Sequence, residues 1–156
     1  MKKIWYAPNK LEAYGEEEIK AVEQCLRDGW LAGFGPRSIE FEEKIAKEFG
    51  KKYGVFVNSG SSACLLALAS LNLPKGCKII TPALTFSTTL APIIQLGFIP
   101  IFVDSNLTSY VPTVRAMLDA ITTDTKAIMV PNLIGNKPDF VALKAGLKAL
   151  NRTDII

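Results

Sequence analysis

A three-layer α/β fold on a mostly parallel sheet is predicted by two features of this 156-residue sequence. Short apolar runs alternate with amphipathic stretches of helical period, and the alternation sets in only after about residue 50. Parallel neighbours need a crossover connection, and the intervening helices supply it. The expected organisation is therefore a helical segment over residues 1–50, then the first part of an α/β domain over 51–156.

The elements follow in order. Residues 16–28 place Ile19, Val22 and Leu26 on one face, with Glu16, Glu17 and Glu18 in the first turn, where the helix dipole favours them. After a link containing Gly29, Gly33 and Gly35, Pro36 opens a second helix marked by Phe41, Ile45 and Phe49 and stopped at Gly50. The period then changes. Residues 53–57 read as a first strand, 58–62 as a tight turn, and 63–71 as a helix. Three further strand and helix units are expected. The first pairs a strand at 78–81 with a helix at 88–96, where Pro92 is acceptable if it lies in the first turn. The second pairs a strand at 101–103 with a helix face of Val114, Met117, Leu118 and Ile121. The third pairs a strand at 126–130 with Phe140, Leu143, Leu147 and Leu150. Asp154, Ile155 and Ile156 read as the opening of another strand, as expected of an amino-terminal piece of a larger domain.

Composition narrows the function. With 49% hydrophobic residues the chain can bury a core, and a formal net charge of +3 without a basic stripe gives no reason to expect a nucleic-acid partner. No apolar segment reaches membrane-spanning length, and the start Met1-Lys2-Lys3 lacks the apolar core of a signal peptide; a cytoplasmic protein with no membrane partner is expected. Cys25, Cys64 and Cys77 are widely spaced, which fits reduced core cysteines and neither a disulfide framework nor a metal site. With no histidine in the chain, a Ser-His-Asp triad and a His-Glu-x-x-His metal helix are excluded within it.

Ligands of open α/β sheets bind beyond the carboxyl ends of the strands. Three segments meet that condition. Asn58-Ser59-Gly60-Ser61-Ser62-Ala63 enters a helix with small, hydroxyl-bearing residues, a composition that serves equally as a phosphate turn or as ordinary capping. Phe86 follows the next strand and could stack on a flat ligand or cap the core. Asn132 and Asn136 follow the last strand and offer amides, although asparagine there is commonly a turn former. The rival phosphate motif beginning Gly33-Phe34-Gly35 lacks its last glycine and follows a helix, and no Walker A sequence occurs.

Taken in order, these pieces resemble the DegT/DnrJ/StrS sugar aminotransferases. The likeness is carried by Gly29-Trp30-Leu31 through Gly35-Pro36, Glu40-Phe41-Glu42, the 58–63 turn, Ile80-Thr81-Pro82 with Thr85-Phe86, Gln95-Leu96-Gly97, Pro100-Ile101-Phe102-Val103-Asp104 and Thr125-Lys126-Ala127-Ile128. The resemblance implies a type I pyridoxal-phosphate fold, residues 51–156 being the first part of its large domain. It also implies pyridoxal 5'-phosphate (PLP) or pyridoxamine 5'-phosphate as cofactor, a nucleotide-linked keto sugar as substrate, and a homodimer. On that analogy Gly60, Ser61, Ser62 and Ala63 hold the cofactor phosphate, Phe86 stacks on its ring, and Asn132 and Asn136 lie at the cofactor's edge or against the substrate. The catalytic residues, an aspartate and a Schiff-base lysine, are expected beyond Ile156, so this chain alone is expected to be inactive. Where the aminotransferases carry Val-His-Leu-Tyr-Gly-Gln, this sequence has Pro131-Asn132-Leu133-Ile134-Gly135-Asn136, which is similar to the branch that dehydrates 4-keto-6-deoxy sugars at C3 in lipopolysaccharide and O-antigen sugar biosynthesis. Transamination and a non-catalytic α/β binding remnant are the alternatives.

Overall fold

The computed structural model describes residues 14–29 and 35–156, so the readings that rest on residues 1–13 and on Trp30, Leu31, Gly33 and Phe34 lie outside the described residues. The chain divides into two compact units, Met1–Phe56 and Val57–Ile156.

In the first unit, α1 (Glu16–Asp28) starts where the Gly15 N–H donates to Glu18 Oε2 at 2.7 Å and ends on Gly29 in the left-handed conformation. Helix α2 (Pro36–Glu48) begins with proline at its first position, where the missing N–H costs nothing. The segment after it is not the strand predicted at 53–57: it forms no ladder among the described residues, and Tyr53, Val55 and Phe56 are exposed. Its backbone is satisfied locally instead. The Phe56 N–H donates to Glu42 Oε1 at 2.7 Å, and the Phe56 ring meets Phe41 edge-on at 5.3 Å between centroids. Gly54 passes so close to α2 that a Cβ would lie 2.5 Å from the Glu42 carbonyl oxygen.

The second unit is a parallel sheet between two helical layers. Its elements are α3 (Gly60–Ser70), β1 (Lys78–Pro82), α4 (Ser87–Gln95), β2 (Ile99–Val103), α5 (Val114–Asp119), β3 (Thr125–Ile128) and α6 (Phe140–Ala149). The described strands run in the order β2-β1-β3, with Ile80 opposite Ile101 on one side and Ile128 on the other. Adjacent β1 residues feed opposite layers, as a period of two requires. Ile79 packs with Leu68 of α3 and Ile93 of α4; Ile80 packs with Val103, Met117 of α5, and Leu143 and Leu147 of α6. Burying both faces explains why β1 reads as a continuous apolar run rather than an alternating one.

Two details depart from the sequence reading. Pro92 lies in the second turn of α4, so the Thr88 carbonyl loses the N–H that would normally reach it. Residues 154–156 form no strand of their own. Ile156 alone enters the ladder, donating to the Lys126 carbonyl at 3.1 Å and accepting from the Ile128 N–H at 2.8 Å.

Candidate functional site

The connections leaving β1 and β3 diverge, because α4 covers one face of the sheet and α6 the other. Such a divergence opens a crevice at the carboxyl ends of the strands, the place where α/β proteins take their ligands. Phe86 stands on one side of it, after β1. Asn132 and Asn136 stand on the other, after β3.

Gly60, Ser61, Ser62 and Ala63 are not a turn ahead of a helix; they form the first turn of α3 itself. The cap is Ser59, in extended conformation, whose Oγ accepts the Ser62 N–H at 3.1 Å and donates to Ser62 Oγ at 3.1 Å. The Ala63 N–H is held by the Ser59 carbonyl at 3.0 Å. Two of the four backbone donors expected for a phosphate are therefore already bonded. The N–H groups of Gly60 and Ser61 make no hydrogen bond among the described residues, and the hydroxyl protons of Ser61 and Ser62 remain available. Unbonded N–H groups at the positive end of an eleven-residue helix, with hydroxyl donors beside them, suit a dianion.

Ser61 and Ser62 face α4 across a groove of about 180 Å³, which Thr88, Pro92 and Gln95 also line. Thr88 comes two residues after Phe86, the residue that opens α4, and the Phe86 side chain is exposed. The first turn of α3 thus lies against α4, which lines the groove from Thr88 in its first turn to Gln95 at its end. Sequence reasoning gave Thr88 and Gln95 no place at the site, although Gln95 stands in one of the motifs that carry the resemblance. The hydroxyl-rich run Thr85-Phe86-Ser87-Thr88-Thr89 directly behind β1 was the available signal.

Asn132 and Asn136 do not line that groove. They bracket a single 3-10 turn, Leu133–Gly135, in which Ile134 is exposed and holds φ 56, ψ 28. A β-branched residue in the left-handed region is strained, and strain of this kind concentrates at functional loops.

A last feature of this edge is polar. The hydroxyls of Thr81, Thr85 and Ser105 are buried with no hydrogen-bond partner among the described residues. All follow or end β1 or β2 at the carboxyl side.

Comparison with known proteins accounts for this layout. The sequence profile of the DegT/DnrJ/EryC1/StrS aminotransferase family matches residues 12–150. The chain belongs to that family. Among DegT-family relatives, it is 36% identical over 155 residues to a GDP-4-keto-6-deoxy-D-mannose 3-dehydratase of Escherichia coli O55:H7, a match covering 96% of this chain and 39% of that protein. It is 40% identical over 129 residues to a dTDP-4-dehydro-2,6-dideoxy-D-glucose 3-dehydratase of Saccharopolyspora spinosa, covering 78% of this chain and 28% of that one. The chain thus spans well under half the length of these relatives. In three dimensions it superposes with a TM-score of 0.83 on the E. coli GDP-4-keto-6-deoxy-D-mannose-3-dehydratase with bound hydrated PLP, over 93% of this chain and 38% of that one at 36% identity. The three-layer α/β architecture is that of the PLP-dependent members of the DegT family.

Proposed function

We propose that this protein is a PLP-dependent enzyme that dehydrates a nucleotide-linked 4-keto-6-deoxy sugar at C3. The observation that carries the reading is the segment Pro131-Asn132-Leu133-Ile134-Gly135-Asn136, which stands where the family's aminotransferases carry a histidine and a tyrosine, in a chain whose two relatives described above are both sugar-nucleotide 3-dehydratases. Aminotransfer to the same class of substrate is the second reading, supported by the family description itself.

The residues present fit the cofactor's phosphate. Gly60 and Ser61 would donate backbone N–H groups to it and Ser61 and Ser62 their hydroxyls, with Ala63 buttressing the turn through its bond to the Ser59 carbonyl. The exposed ring of Phe86 would lie on the face of the pyridine. When bound, PLP or its amine form supplies the electron sink, while the protein holds and orients it. Asn132 and Asn136, on the other bank of the crevice, would meet the cofactor's edge or the sugar. The residues that complete catalysis are assigned beyond position 156. The working form is proposed to be a cytoplasmic homodimer serving lipopolysaccharide and O-antigen sugar synthesis, with residues 1–50 as a helical segment and 51–156 as the first part of the cofactor domain.

Two measurements test this. The dehydrating branch that the 131–136 segment resembles has histidine where the family's aminotransferases have the Schiff-base lysine, so histidine at that position supports dehydration, lysine supports transamination, and a stop codon before it leaves a binding remnant. Mass spectrometry after incubation of the full-length protein with PLP, glutamate and a nucleotide-linked 4-keto-6-deoxy sugar should show a product lacking the C3 oxygen. A product carrying an amine in place of the keto oxygen would establish transamination instead, and an unchanged sugar would refute both.

A further inference from the structure

Of the three unpartnered hydroxyls at this edge of the described residues, that of Thr81 is the most deeply buried, and neither packing nor local hydrogen bonding explains it. Thr81 is the penultimate residue of β1 and has no exposed surface at all, yet its Oγ1 bonds to nothing among the described residues. Leaving a buried hydroxyl unpaired costs free energy that valine, of nearly the same shape, would not incur. Strand alternation settles which way it looks. Ile79, two residues earlier, packs against α3 and α4, so Thr81 occupies that same face one step nearer the carboxyl edge. The helices above that face are the two whose amino-terminal residues Ser61, Ser62 and Thr88 share one groove. Thr85, in the loop between Thr81 and Phe86, repeats the pattern with a second buried, unbonded hydroxyl. Orphan hydroxyl groups are rare in native folds and mark ligand or water sites where they persist.

We infer that the Thr81 hydroxyl, seconded by Thr85, is a ligand-facing donor that completes its hydrogen bonding only when a phosphate-bearing ligand occupies the α3 end of the crevice, making Thr81 a binding residue from beneath the phosphate turn. This rests on the PLP reading given above. The inference requires that the hydroxyl weaken the empty protein and strengthen the loaded one, a pair of opposite signs that a purely structural threonine does not produce.

The test uses the full-length protein in its cofactor-free and PLP-loaded forms, with Thr81→Val, Thr81→Ser and Thr85→Val variants. Cofactor-free Thr81→Val should melt at a higher temperature than wild type. Its affinity for PLP, followed by absorbance, should fall about 10-fold, the loss of one hydrogen bond to a charged group. Thr81→Ser should retain wild-type affinity, and Thr85→Val should show a smaller fall in affinity. Melting at or below the wild-type temperature with unchanged PLP affinity in Thr81→Val would overturn the inference while leaving the PLP reading intact. Failure of wild type itself to bind PLP would overturn both. Should Thr81→Val fail to fold, loss of affinity in Thr81→Ser or unchanged affinity in Thr85→Val would count against the proposal.

Discussion

Replacing Ser59 and Ser61 separately by alanine should divide stability from ligand binding at the α3 end. Ser59 spends its side chain on the helix: its Oγ takes the Ser62 N–H at 3.1 Å and gives its proton to Ser62 Oγ. Loss of such a cap costs about 1 kcal/mol, within a range of roughly 0.5–2. The groups are exposed, so no cavity adds to that figure. Ser61 bonds to nothing through its side chain among the described residues, and alanine at the second position of a helix is well tolerated. Ser61→Ala should therefore leave urea unfolding unchanged while weakening PLP binding by about 1–3 kcal/mol, the worth of a hydroxyl donated to a dianion. Ser59→Ala should do the reverse, lowering stability by about 1 kcal/mol and reducing affinity only as far as the first turn frays. Paired urea unfolding and absorbance titration of the full-length protein read both effects. Equal stability of wild type and Ser59→Ala, together with equal PLP affinity of wild type and Ser61→Ala, would refute the division of labour and the phosphate assignment with it.

Three other outcomes follow from single contacts. Phe86→Ala, at an exposed ring, should leave stability within about 0.5 kcal/mol but weaken retention of PLP by about 0.5–1.5 kcal/mol, read by the same titration. Gly146→Ala should destabilise by about 1–3 kcal/mol in urea, because a Cβ on α6 would collide with Leu118 Cδ1 of α5; unchanged stability would mean that the Leu118 side chain turns aside without loss of packing. Ile134→Gly should stabilise the protein by about 0.5–1 kcal/mol, since relief of the left-handed strain exceeds the entropy glycine adds to the unfolded chain, and a lower melting temperature would show that the turn is held by contacts of the Ile134 side chain.

How much of this was legible in the sequence depends on whether local chemistry or a distant partner decides each feature. Helix α1 and the start of α2 were readable to the residue, because Glu16, Glu17 and Glu18, Gly29 and Pro36 act locally, whereas α2 ends at Glu48, just short of the Phe49 and Gly50 that the reading gave it. The strand expected at 53–57 failed for the opposite reason. Its apolar run is real, but a strand exists only where a neighbour accepts its N–H groups, and Phe56 found the Glu42 carboxylate instead. At the candidate site, the residues Gly60 to Ala63 could be singled out but their roles could not. Asn58, Ser59, Ser61 and Ser62 are all competent caps by type. Only backbone geometry, φ −161 and ψ 158 at Ser59, decides which one caps and so which donors stay free. The orphan hydroxyls are wholly invisible in sequence, being defined by what does not surround them.

The attachment of residues 152–156 to β3 supplies the last prediction. The Arg152 guanidinium donates through Nη1 to the Thr122 carbonyl at 2.7 Å and through Nη2 to the Thr125 carbonyl at 2.6 Å, while its Nε meets Asp154 Oδ1 at 2.9 Å. Lys126 reaches the same carboxylate at 3.1 Å. This fork fixes the turn that sends Ile155 into the core and sets Ile156 beside β3. Arg152, followed by Lys126, holds the Asp154 carboxyl down to about 2 from its ordinary 3.8. A carboxyl depressed in the folded state contributes stability that is present above its unfolded value and is lost as pH falls through the folded one. Between about pH 4 and pH 2 the clamp should therefore weaken progressively, and Asp154→Asn should remove that part of the acid dependence. Arg152→Met keeps the stem but deletes the fork, which should cost about 1–3 kcal/mol in charge-assisted bonds. Because the Ile128 and Ile156 amides bond across the seam that the fork holds, their hydrogen exchange should accelerate in Arg152→Met while amides in the middle of β1, such as Ile80, keep the wild-type rate until global unfolding. Unchanged protection at Ile128 and Ile156 would show that the seam is held by the burial of Ile155 and not by the arginine.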